Sequence, residues 1–432
     1  MTEKKSILAA DVEENISSLK EIDLLVGIPS FNSARTIVHV VKAVEAGLSK
    51  YFPDLKSLIV NSDGGSSDGT MEAVRNTNVD FDSVLIHNKP GAYHKLVTPY
   101  HGIPGKGSAF RTVFEIARRL DVKACAVVDS DLRSITPEWI ELLIKPVLEE
   151  NYDYISPYYL RHKYDGTITN TIVYPLTRAL YGRRIRQPIG GDFGFSGRLA
   201  SFYLTKDVWE SDVARFGVDI WMTTTAVANG FKVCQAFLGA KIHDAKDPGA
   251  DLSAMLHQVV SSVFNLMNEY AAVWQGIAGS EPVPTFGFAY SVGLEPIYVN
   301  LDRMIEKFRL GVNELDSLYA SFLSAESLDF LRGLARQPRE GFAFPDEHWV
   351  KTIFHFALAC HQRIMSHEHI IKSLTPLYIG KVASFVIETW ESSAEDVETR
   401  LEQLCLTYEK LKGYLIERWE GTGIQPQPRR SP

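Results

Sequence analysis

Two acidic residues directly follow a short apolar stretch in the first third of the chain. Ala124 to Val128 are typical of a buried strand, and Asp129, Ser130 and Asp131 come next. Two carboxylates one residue apart suit a hard cation such as Mg²⁺ or Mn²⁺, which takes its other ligands from water and substrate phosphates. The alternatives are a cap for the helix predicted at "TPEWIELL" and a haloacid-type phosphatase, although that class has Thr or Val where Arg133 stands here.

A lysine between two glycines is the second candidate. The segment "GIPGKGSAFR" (Gly102 to Arg111) places Lys106 just before a predicted helix. Glycines permit a close approach of the backbone, and a lysine there can neutralise a phosphate. The spacing is not that of a P-loop. An ordinary glycine-rich helix start with a solvated lysine is the alternative.

Three later segments also contain polar residues suited to chemistry. Asp219 interrupts the apolar "FGVDIWMTTTAVANG", and a buried acid is costly unless it is paired or used; a helix cap is the alternative. "RQPIGGDFGFSGR" exposes backbone groups at Gly190 and Gly191, or simply forms a tight turn. His243 ends the strand-like "GAKIH", and a neutral imidazole can complete a metal site, although a lone histidine is more often structural.

The elements that must position these residues alternate between strands and helices. "DLLVGIP", "SLIVNSD", "DSVLIHN" and "KACAVVD" are predicted strands, and "SARTIVHVVKAVEAGLSKYF", with Ser33 as its cap, and "GSAFRTVFEIARRL" are predicted helices. Such alternation predicts a parallel sheet with helices on both faces. Ligands of these sheets bind beyond the carboxyl ends of the strands, where "IPSFNS", "NSDGGSSDGT" and the acidic pair all fall.

Composition limits the classes of protein that fit. The 432 residues, 45% hydrophobic, suffice for two domains, and a net charge of −8 disfavours bulk nucleic-acid binding. Four widely separated cysteines predict no disulfide framework and favour a reducing, cytoplasmic setting. The sequence contains neither a convincing signal peptide nor about 18 uninterrupted apolar residues, so we expect no membrane span.

The second half of the chain has a different character. Helical patterns such as "SAEDVETRLEQLCLTYEKLKGYLIERW" replace the strand-like runs. We therefore predict an N-terminal extension (1–20), an α/β domain (21–265), a mainly helical domain (266–420) and a disordered tail (421–432). The helical part is a plausible lid or a surface for homodimer formation.

In chain order, "GKG", "DSD", "QPIGGDF", "GVDI" and "KIH" resemble the retaining GT-A glycosyltransferases that make mannosylglycerate and glucosyl-3-phosphoglycerate. The resemblance covers about residues 24–263, with weaker similarity in "GFAFPDEHWVKTIFHFAL". It implies a GT-A fold, in which a mostly parallel sheet has helices on both faces. It also implies a nucleotide diphosphate sugar as the donor, with Mg²⁺ or Mn²⁺ as the cofactor.

The resemblance also assigns roles to individual residues. Those that it places near the donor are Pro29, Ser30, Asn32, Asp63, Lys106, Asp129, Ser130 and Lys246. Those that it makes metal ligands are Asp131 and His243, and those that it places at the acceptor are Thr167, Thr169, Gly190, Gly191 and Asp219. Lys106, Ile189 and Asp219 are its candidate catalytic residues, with Asp219 orienting the acceptor or stabilising charge.

One departure from the family pattern bears on the acceptor. Thr167 stands where the phosphoglycerate-using enzymes have an arginine two residues before a threonine, here Thr169. Loss of that arginine removes a bidentate partner for phosphate, which favours a small hydroxy acid such as D-glycerate. Arg161, His162 or Lys163 could compensate, so 3-phosphoglycerate stays an alternative.

The expected activity is therefore metal-dependent transfer of mannose or glucose, with retention, from a nucleotide diphosphate sugar to a small hydroxy-carboxylate. Ser33 stands where some relatives have an acid near the base, which leaves UDP and GDP both open. A transferase acting on a lipid phosphate or a glycan, and a catalytically silent subunit that binds nucleotide sugar, also stay open.

Overall fold

The computed structural model describes residues 7–8, 10–19, 21–77, 93–99, 105–242, 253–288 and 297–421. These residues divide into two units, each built from three pieces of the chain. The first unit comprises residues 1–160, 185–245 and 283–294, and the second comprises residues 161–184, 246–282 and 295–432. The division differs from the predicted boundaries, because residues 161–184 group with the helical part and residues 283–294 with the sheet. The predicted strand "DSVLIHN" and the predicted tail from Thr422 onward lie outside the described residues.

A twisted α/β sheet organises the first unit. Within the described residues it has eight strands, in the order β10-β8-β5-β7-β4-β1-β2-β3. Their bounds are β1 (Leu24–Ser30), β2 (Ser57–Asp63), β3 (Tyr93–Pro99), β4 (Ala124–Val127), β5 (Tyr154–Leu160), β7 (Phe193–Ser196), β8 (Val233–Ala240) and β10 (Thr285–Phe286). All neighbours pair in parallel except β7, which runs antiparallel to both β4 and β5.

Helices cover both faces of this sheet. Their bounds are α1 (Ala10–Ser18), α2 (Ile37–Tyr51), α3 (Thr70–Arg75), α4 (Lys106–Arg119), α5 (Pro137–Glu150), α7 (Gly197–Tyr203) and α8 (Val218–Ala228). Alternate residues of β1 face the core beneath α2 and α5, which also holds Trp139 and Ile140. Gly27 faces the other way, where an added Cβ would lie 2.6 Å from Val113 of α4. The predicted fold class, a mostly parallel sheet with helices on both faces and a helical second part, is confirmed.

The helical second unit has little sheet. Its helices are α6 (Tyr174–Tyr181), α9 (Ser253–Glu269), α10 (Ala271–Trp274), α11 (Leu301–Glu314), α12 (Asp316–Tyr319), α13 (Ala325–Ala335), α14 (Asp346–His361), α15 (His367–Glu388) and α16 (Ala394–Glu420). A π-helical turn (Thr169–Val173) precedes α6, and two short strands, β6 (Arg183–Arg184) and β9 (Glu281–Pro282), pair with each other. Helix α16 begins with the capping box that Ser393 and Asp396 form.

Two buried ion-pair clusters stabilise this unit. The fully buried Arg178 donates to Glu402 and Glu409, which lie on α16. Asp346 accepts hydrogen bonds from Lys381 and Arg400. Helix α15 passes a length and composition test for a membrane span, but 78% of its most apolar stretch is buried. That burial is what a core helix shows, so the test is weak evidence for a span.

Candidate functional site

A lysine and two aspartates meet at the carboxyl end of β4. Lys106 is the first residue of α4, and its Nζ lies 2.7 Å from Asp129 Oδ1 and 3.3 Å from Asp219 Oδ1. The ammonium also donates to the Gly191 carbonyl at 3.3 Å. Asp129 follows β4 and Asp219 lies in the first turn of α8. The structure therefore brings together four of the residues that the sequence singled out.

The charges of these groups differ in how well they are balanced. Burial opposes ionisation of Asp129, but Lys106 and Lys241 outweigh it and hold the pKa of this carboxyl well below its usual range. Burial also opposes the charge of Lys106, yet Asp129 and Asp219 raise its pKa above the ordinary value. For Asp219 burial prevails, and its pKa is raised. Its buried Oδ1 has no hydrogen-bond partner in the structure, so Asp219 is the least compensated acid of the group.

A second lysine, to which the sequence motifs give no role, completes the cluster. Lys241 follows β8, and its Nζ lies 2.7 Å from Asp129 Oδ2 and 2.8 Å from Asp192 Oδ2. Asp192, fully buried, also accepts from the Asp129 amide at 2.7 Å and from the Tyr159 hydroxyl. Both residues stand directly beside a strand, and that position is the sequence signal that could have identified them.

Glycines in the "GKG" and "QPIGGDF" motifs permit close packing of the backbone around this cluster. A Cβ at Gly107 would lie 1.8 Å from the Val213 carbonyl, and one at Gly105 would lie 2.5 Å from the Ala214 carbonyl. The start of α4 thus rests on the segment before α8, which carries Asp219. Gly191 has a φ of +91°, and a Cβ there would lie 2.3 Å from Asp129 Oδ2.

The two acids of the "DSD" motif lie in different surroundings. Asp129 is partly buried, whereas Asp131 is exposed. Helix α5 begins at Pro137 with Thr136 as its N-cap, so the alternative in which Asp131 or Ser134 caps that helix is wrong. Ser134 Oγ instead accepts from the Ile242 amide at 2.9 Å.

Ser130 joins two strand ends. Its hydroxyl lies 2.8 Å from Ser33 Oγ, and its carbonyl accepts from Thr36 Oγ1 at 2.8 Å. The predicted cap role of Ser33 is wrong, because α2 begins at Ile37 with Thr36 at the N-cap and Ser33 Oγ faces Ser130. These bonds fix the loops after β1 and β4 to each other.

The predicted base and ribose residues build the neighbouring loops. Pro29 is buried in β1. The Asp63 carboxylate accepts from Ser30 Oγ, from the amides of Gly65 and Ser66, and from Ser66 Oγ, all within 2.9 Å. Its oxygens are thus engaged within the protein.

Phe31 and Asn32, in the loop after β1, are exposed. Asn32 has a φ of +50°, and its side chain accepts from the Ser67 amide at 3.0 Å. Phe31 is 63% exposed. An exposed aromatic ring beside a strand end offers a flat apolar surface to a ligand.

The loop that precedes β7 is anchored at both ends. Gln187 exchanges two hydrogen bonds with the backbone of Tyr159, and the Pro188 carbonyl accepts from Thr223 Oγ1 at 2.7 Å. Ile189 directly follows these anchors and is half-buried. A Cβ at Gly190 would lie 2.1 Å from Pro157 Cγ, so this loop is packed tightly on β5.

The predicted acceptor threonines belong to the second unit. Thr167 is buried, and its Oγ1 lies 2.6 Å from the Tyr378 hydroxyl. Thr169 is buried as well and begins the π-helical turn. Their role toward an acceptor stays a prediction.

The predicted metal site is described only in part, because His243 and Lys246 lie outside the described residues. Among the residues that the structure does describe, no three His, Cys, Asp or Glu side chains gather as metal ligands. Asp129 fits a metal poorly, because both of its oxygens contact ammonium groups. Asp131, an exposed carboxylate at the strand end, suits a hard cation that takes its remaining ligands from water and phosphates.

No family model and no curated protein matches the chain. Solved structures of glucosyl-3-phosphoglycerate synthase from Mycobacterium tuberculosis do show similarity. The complex with Mn²⁺, UDP and glucosyl-3-phosphoglycerate gives a TM-score of 0.44 at 20% identity and covers 62% of this chain and 86% of that one. The complex with Mg²⁺ and UDP gives 0.44 at 20%, covering 61% and 84%.

A third complex of the same enzyme, with Mn²⁺, UDP-glucose and glycerol 3-phosphate, gives 0.43 at 19% identity and covers 62% and 87%. These structures bear the name of one of the two enzymes that the sequence motifs resemble. Similarity this low carries no information about substrate or mechanism to this chain.

Proposed function

We propose that the protein is a glycosyltransferase that uses a nucleotide diphosphate sugar. The observation that carries the proposal is the Lys106–Asp129–Lys241 cluster at the carboxyl end of β4. Along the chain, β2 and β3 are added on one side of β1, and β4 is then added on its other side, so the order of the parallel strands reverses between β1 and β4. Open α/β sheets bind their ligands in the crevice at this reversal, outside the carboxyl ends of the strands.

The crevice gathers the ammonium groups of Lys106 and Lys241 against the carboxylates of Asp129, Asp192 and Asp219, so a diphosphate would bind there together with a divalent cation. Lys106 and Lys241 stand at the ends of their elements with their ammonium groups on the same carboxylate. A lysine beside a buried carboxylate keeps its charge and supplies positive potential to phosphate oxygens. The loops that Ser130 and Ser33 join lie directly beside this group, and Phe31 is exposed on one of them.

Asp131 and His243 would hold a divalent cation at this site, as the resemblance implies. Such a cation, when bound, would neutralise part of the charge that develops on a diphosphate leaving group.

The chain's own residues have separable roles in the proposed reaction. Lys106 stabilises the negative charge on the departing diphosphate, since its pKa keeps it protonated. Asp219, whose buried Oδ1 is ion-paired with that ammonium at 3.3 Å but accepts no hydrogen bond, would accept one from the acceptor hydroxyl or face the positive charge that develops on the sugar. The Gly190–Gly191 loop borders this cluster, because its two carbonyls accept hydrogen bonds from Lys241 and Lys106.

The proposed transfer retains the anomeric configuration and moves mannose or glucose to a small hydroxy-carboxylate. D-glycerate is the favoured acceptor, because Thr167 replaces the family's phosphate-binding arginine. 3-Phosphoglycerate is the rival, with Arg161, His162 or Lys163 as the residues that would compensate. Burial lowers the pKa of His162, however, and the Lys163 ammonium already donates to three backbone carbonyls.

The test is a matrix of donors and acceptors. GDP- and UDP-linked glucose and mannose are each combined with D-glycerate, 3-phosphoglycerate and lactate, with Mg²⁺, Mn²⁺ or EDTA. We expect a metal-dependent glycosylated product, with its anomeric configuration read by NMR. Nucleotide binding without transfer or donor hydrolysis would instead identify a silent subunit, and a clear preference for 3-phosphoglycerate would overturn the acceptor assignment.

A further inference from the structure

Lys241 makes three polar contacts that join two separate loops. Its Nζ lies 2.7 Å from Asp129 Oδ2, 2.8 Å from Asp192 Oδ2 and 2.9 Å from the Gly190 carbonyl. An ammonium group has three N–H donors, so these acceptors match its full capacity. Its side chain is only 4% exposed. Lys106 also makes three contacts, but its side chain is 15% exposed, so the more deeply buried Lys241 is the one placed to hold other groups rather than to contact a ligand itself.

Asp192 fixes the orientation of this arrangement. It is fully buried, and besides Lys241 it accepts from the Asp129 backbone amide and the Tyr159 hydroxyl. Asp129 is thus held twice, at its amide by Asp192 and at one carboxylate oxygen by Lys241. Its other oxygen, Oδ1, then faces Lys106 at 2.7 Å.

We propose that Lys241 is a positioning residue that acts through Asp129. Together with Asp192, it holds the Asp129 carboxylate and the Gly190 loop in one geometry. That geometry orients the Lys106 ammonium toward the substrate. The inference rests on the proposed function for the identity of that substrate, the diphosphate of a nucleotide sugar. It assigns the second lysine of the cluster an indirect role that its position in "KIH" does not reveal.

The packing around Lys241 leaves little freedom for a substitute. A Cβ on Gly191 would lie 3.0 Å from Lys241 Nζ as well as 2.3 Å from Asp129 Oδ2. A planar guanidinium presents its donors in a fixed fork and cannot reproduce three contacts from a compact ammonium. We therefore expect Lys241→Arg to lose activity, whereas a lysine that only supplied positive charge would tolerate replacement by arginine.

The experiment separates positioning from folding by restoring the balance of charge. Lys241→Met alone leaves Asp129 and Asp192 facing each other, so it is paired with Lys241→Met/Asp192→Asn, which removes one charge of each sign. Lys232→Met is the matched control, because this exposed lysine precedes the opposite end of β8. Melting temperature, kcat, KM for donor and acceptor, and a crystal structure are compared for each.

The double variant is expected to melt close to the native protein, with kcat lowered about 100-fold and both KM values within about threefold, the pattern of a lost transition-state contact. Its crystal structure is expected to lack the Lys106–Asp129 contact. Combination with Lys106→Met is expected to lower kcat no further than Lys106→Met alone does, because the double variant acts only through the position of Lys106.

Several results would overturn the inference. These are a native kcat in the double variant, retention of the Lys106–Asp129 contact in its crystal structure, or additive losses with Lys106→Met. If the native protein transfers no sugar from any nucleotide donor, the proposed function fails. In that case the crystal structures of the variants, together with calorimetry of UDP binding without metal, still test whether Lys241 positions Lys106.

Discussion

At the scale of single residues, the two acids of "DSD" have different physical tasks. Asp129 is held between two ammonium groups, whereas Asp131 is exposed. Removing one partner of a buried ion pair leaves the others uncompensated and costs about 3–5 kcal/mol, whereas surface changes usually stay within about 0.5 kcal/mol. Spacing alone cannot distinguish two such aspartates, because burial and partners come from elements far away in the chain.

Substitution of each acid tests this difference. We expect Asp129→Asn to lower the melting temperature and Asp131→Ala to leave it nearly unchanged while abolishing metal-dependent transfer. Thermal melts and product assays with Mn²⁺ and with EDTA check both. A fully active Asp131→Ala variant would contradict the assignment of this residue to the metal.

Asp219 offers a second prediction, on pH. Its pKa is raised by burial, so ionising it costs the folded state free energy, and that cost is fully present above the folded pKa. As the pH falls through this pKa and then below the unfolded value of about 3.9, the cost disappears. Because Lys106 keeps its closer ion pair with Asp129, Asp219→Asn should therefore raise the melting temperature at pH 7 by a few degrees while lowering kcat.

Melts of both proteins between pH 3 and pH 8 measure this effect. The two curves are expected to converge at the acidic end. An equal difference at every pH would show that the gain comes from packing rather than from the charge.

At the scale of elements, the site depends on how closely α4 approaches the segment before α8. Gly107 donates its amide to the Arg215 carbonyl at 3.2 Å, and a side chain at Gly107 would meet the backbone of residues 213 and 214. Gly107→Ala should therefore destabilise the protein by about 1–3 kcal/mol and lower kcat, because Lys106 moves with the start of α4.

Gly413→Ala is the matched control for this element. Gly413 lies exposed inside α16 with open space around its Cα, so alanine should stabilise the protein by about 0.5–1 kcal/mol. Denaturant unfolding of both variants measures the two changes. Equal effects would mean that the close packing of α4 is not needed.

Much of the arrangement of strands and helices could be predicted from the sequence. The apolar run bounded by turn residues predicted β2 with its observed bounds, Ser57–Asp63, and the alternation of strands with helices predicted the parallel sheet. β7 was not predicted as a strand that inserts antiparallel between β4 and β5, because a four-residue strand has too short a pattern. Lys241 and Asp192 were missed as a pair because they stand 49 residues apart.

At the scale of the whole molecule, the two units alternate along the chain. Six segments contribute to them in turn, so a cut at the predicted boundary after residue 265 divides α9 and leaves neither unit complete. It also removes Glu402 and Glu409 from the fully buried Arg178. The sequence changes character gradually near residue 251, but it gives no sign that residues 161–184 pack with helices far downstream.

A fragment of residues 1–265 tests this organisation. We expect it to melt without a cooperative transition and to bind a hydrophobic dye, because a buried cation and apolar faces lose their partners. Calorimetry and dye fluorescence, with the full chain as the control, measure both properties. A sharp transition in the fragment would show that the first unit is independent of the second.

The pairing of Arg178 with α16 also bears on synthesis. Arg178 leaves the ribosome 224 residues before Glu402, and domains otherwise tend to fold as soon as they emerge. The segment around Arg178 must therefore stay open, and accessible to chaperones, until translation is nearly finished. Slow translation between the codons for Arg178 and Glu402 would lengthen that exposure, so translation speed over this stretch of the message should influence the yield of native protein.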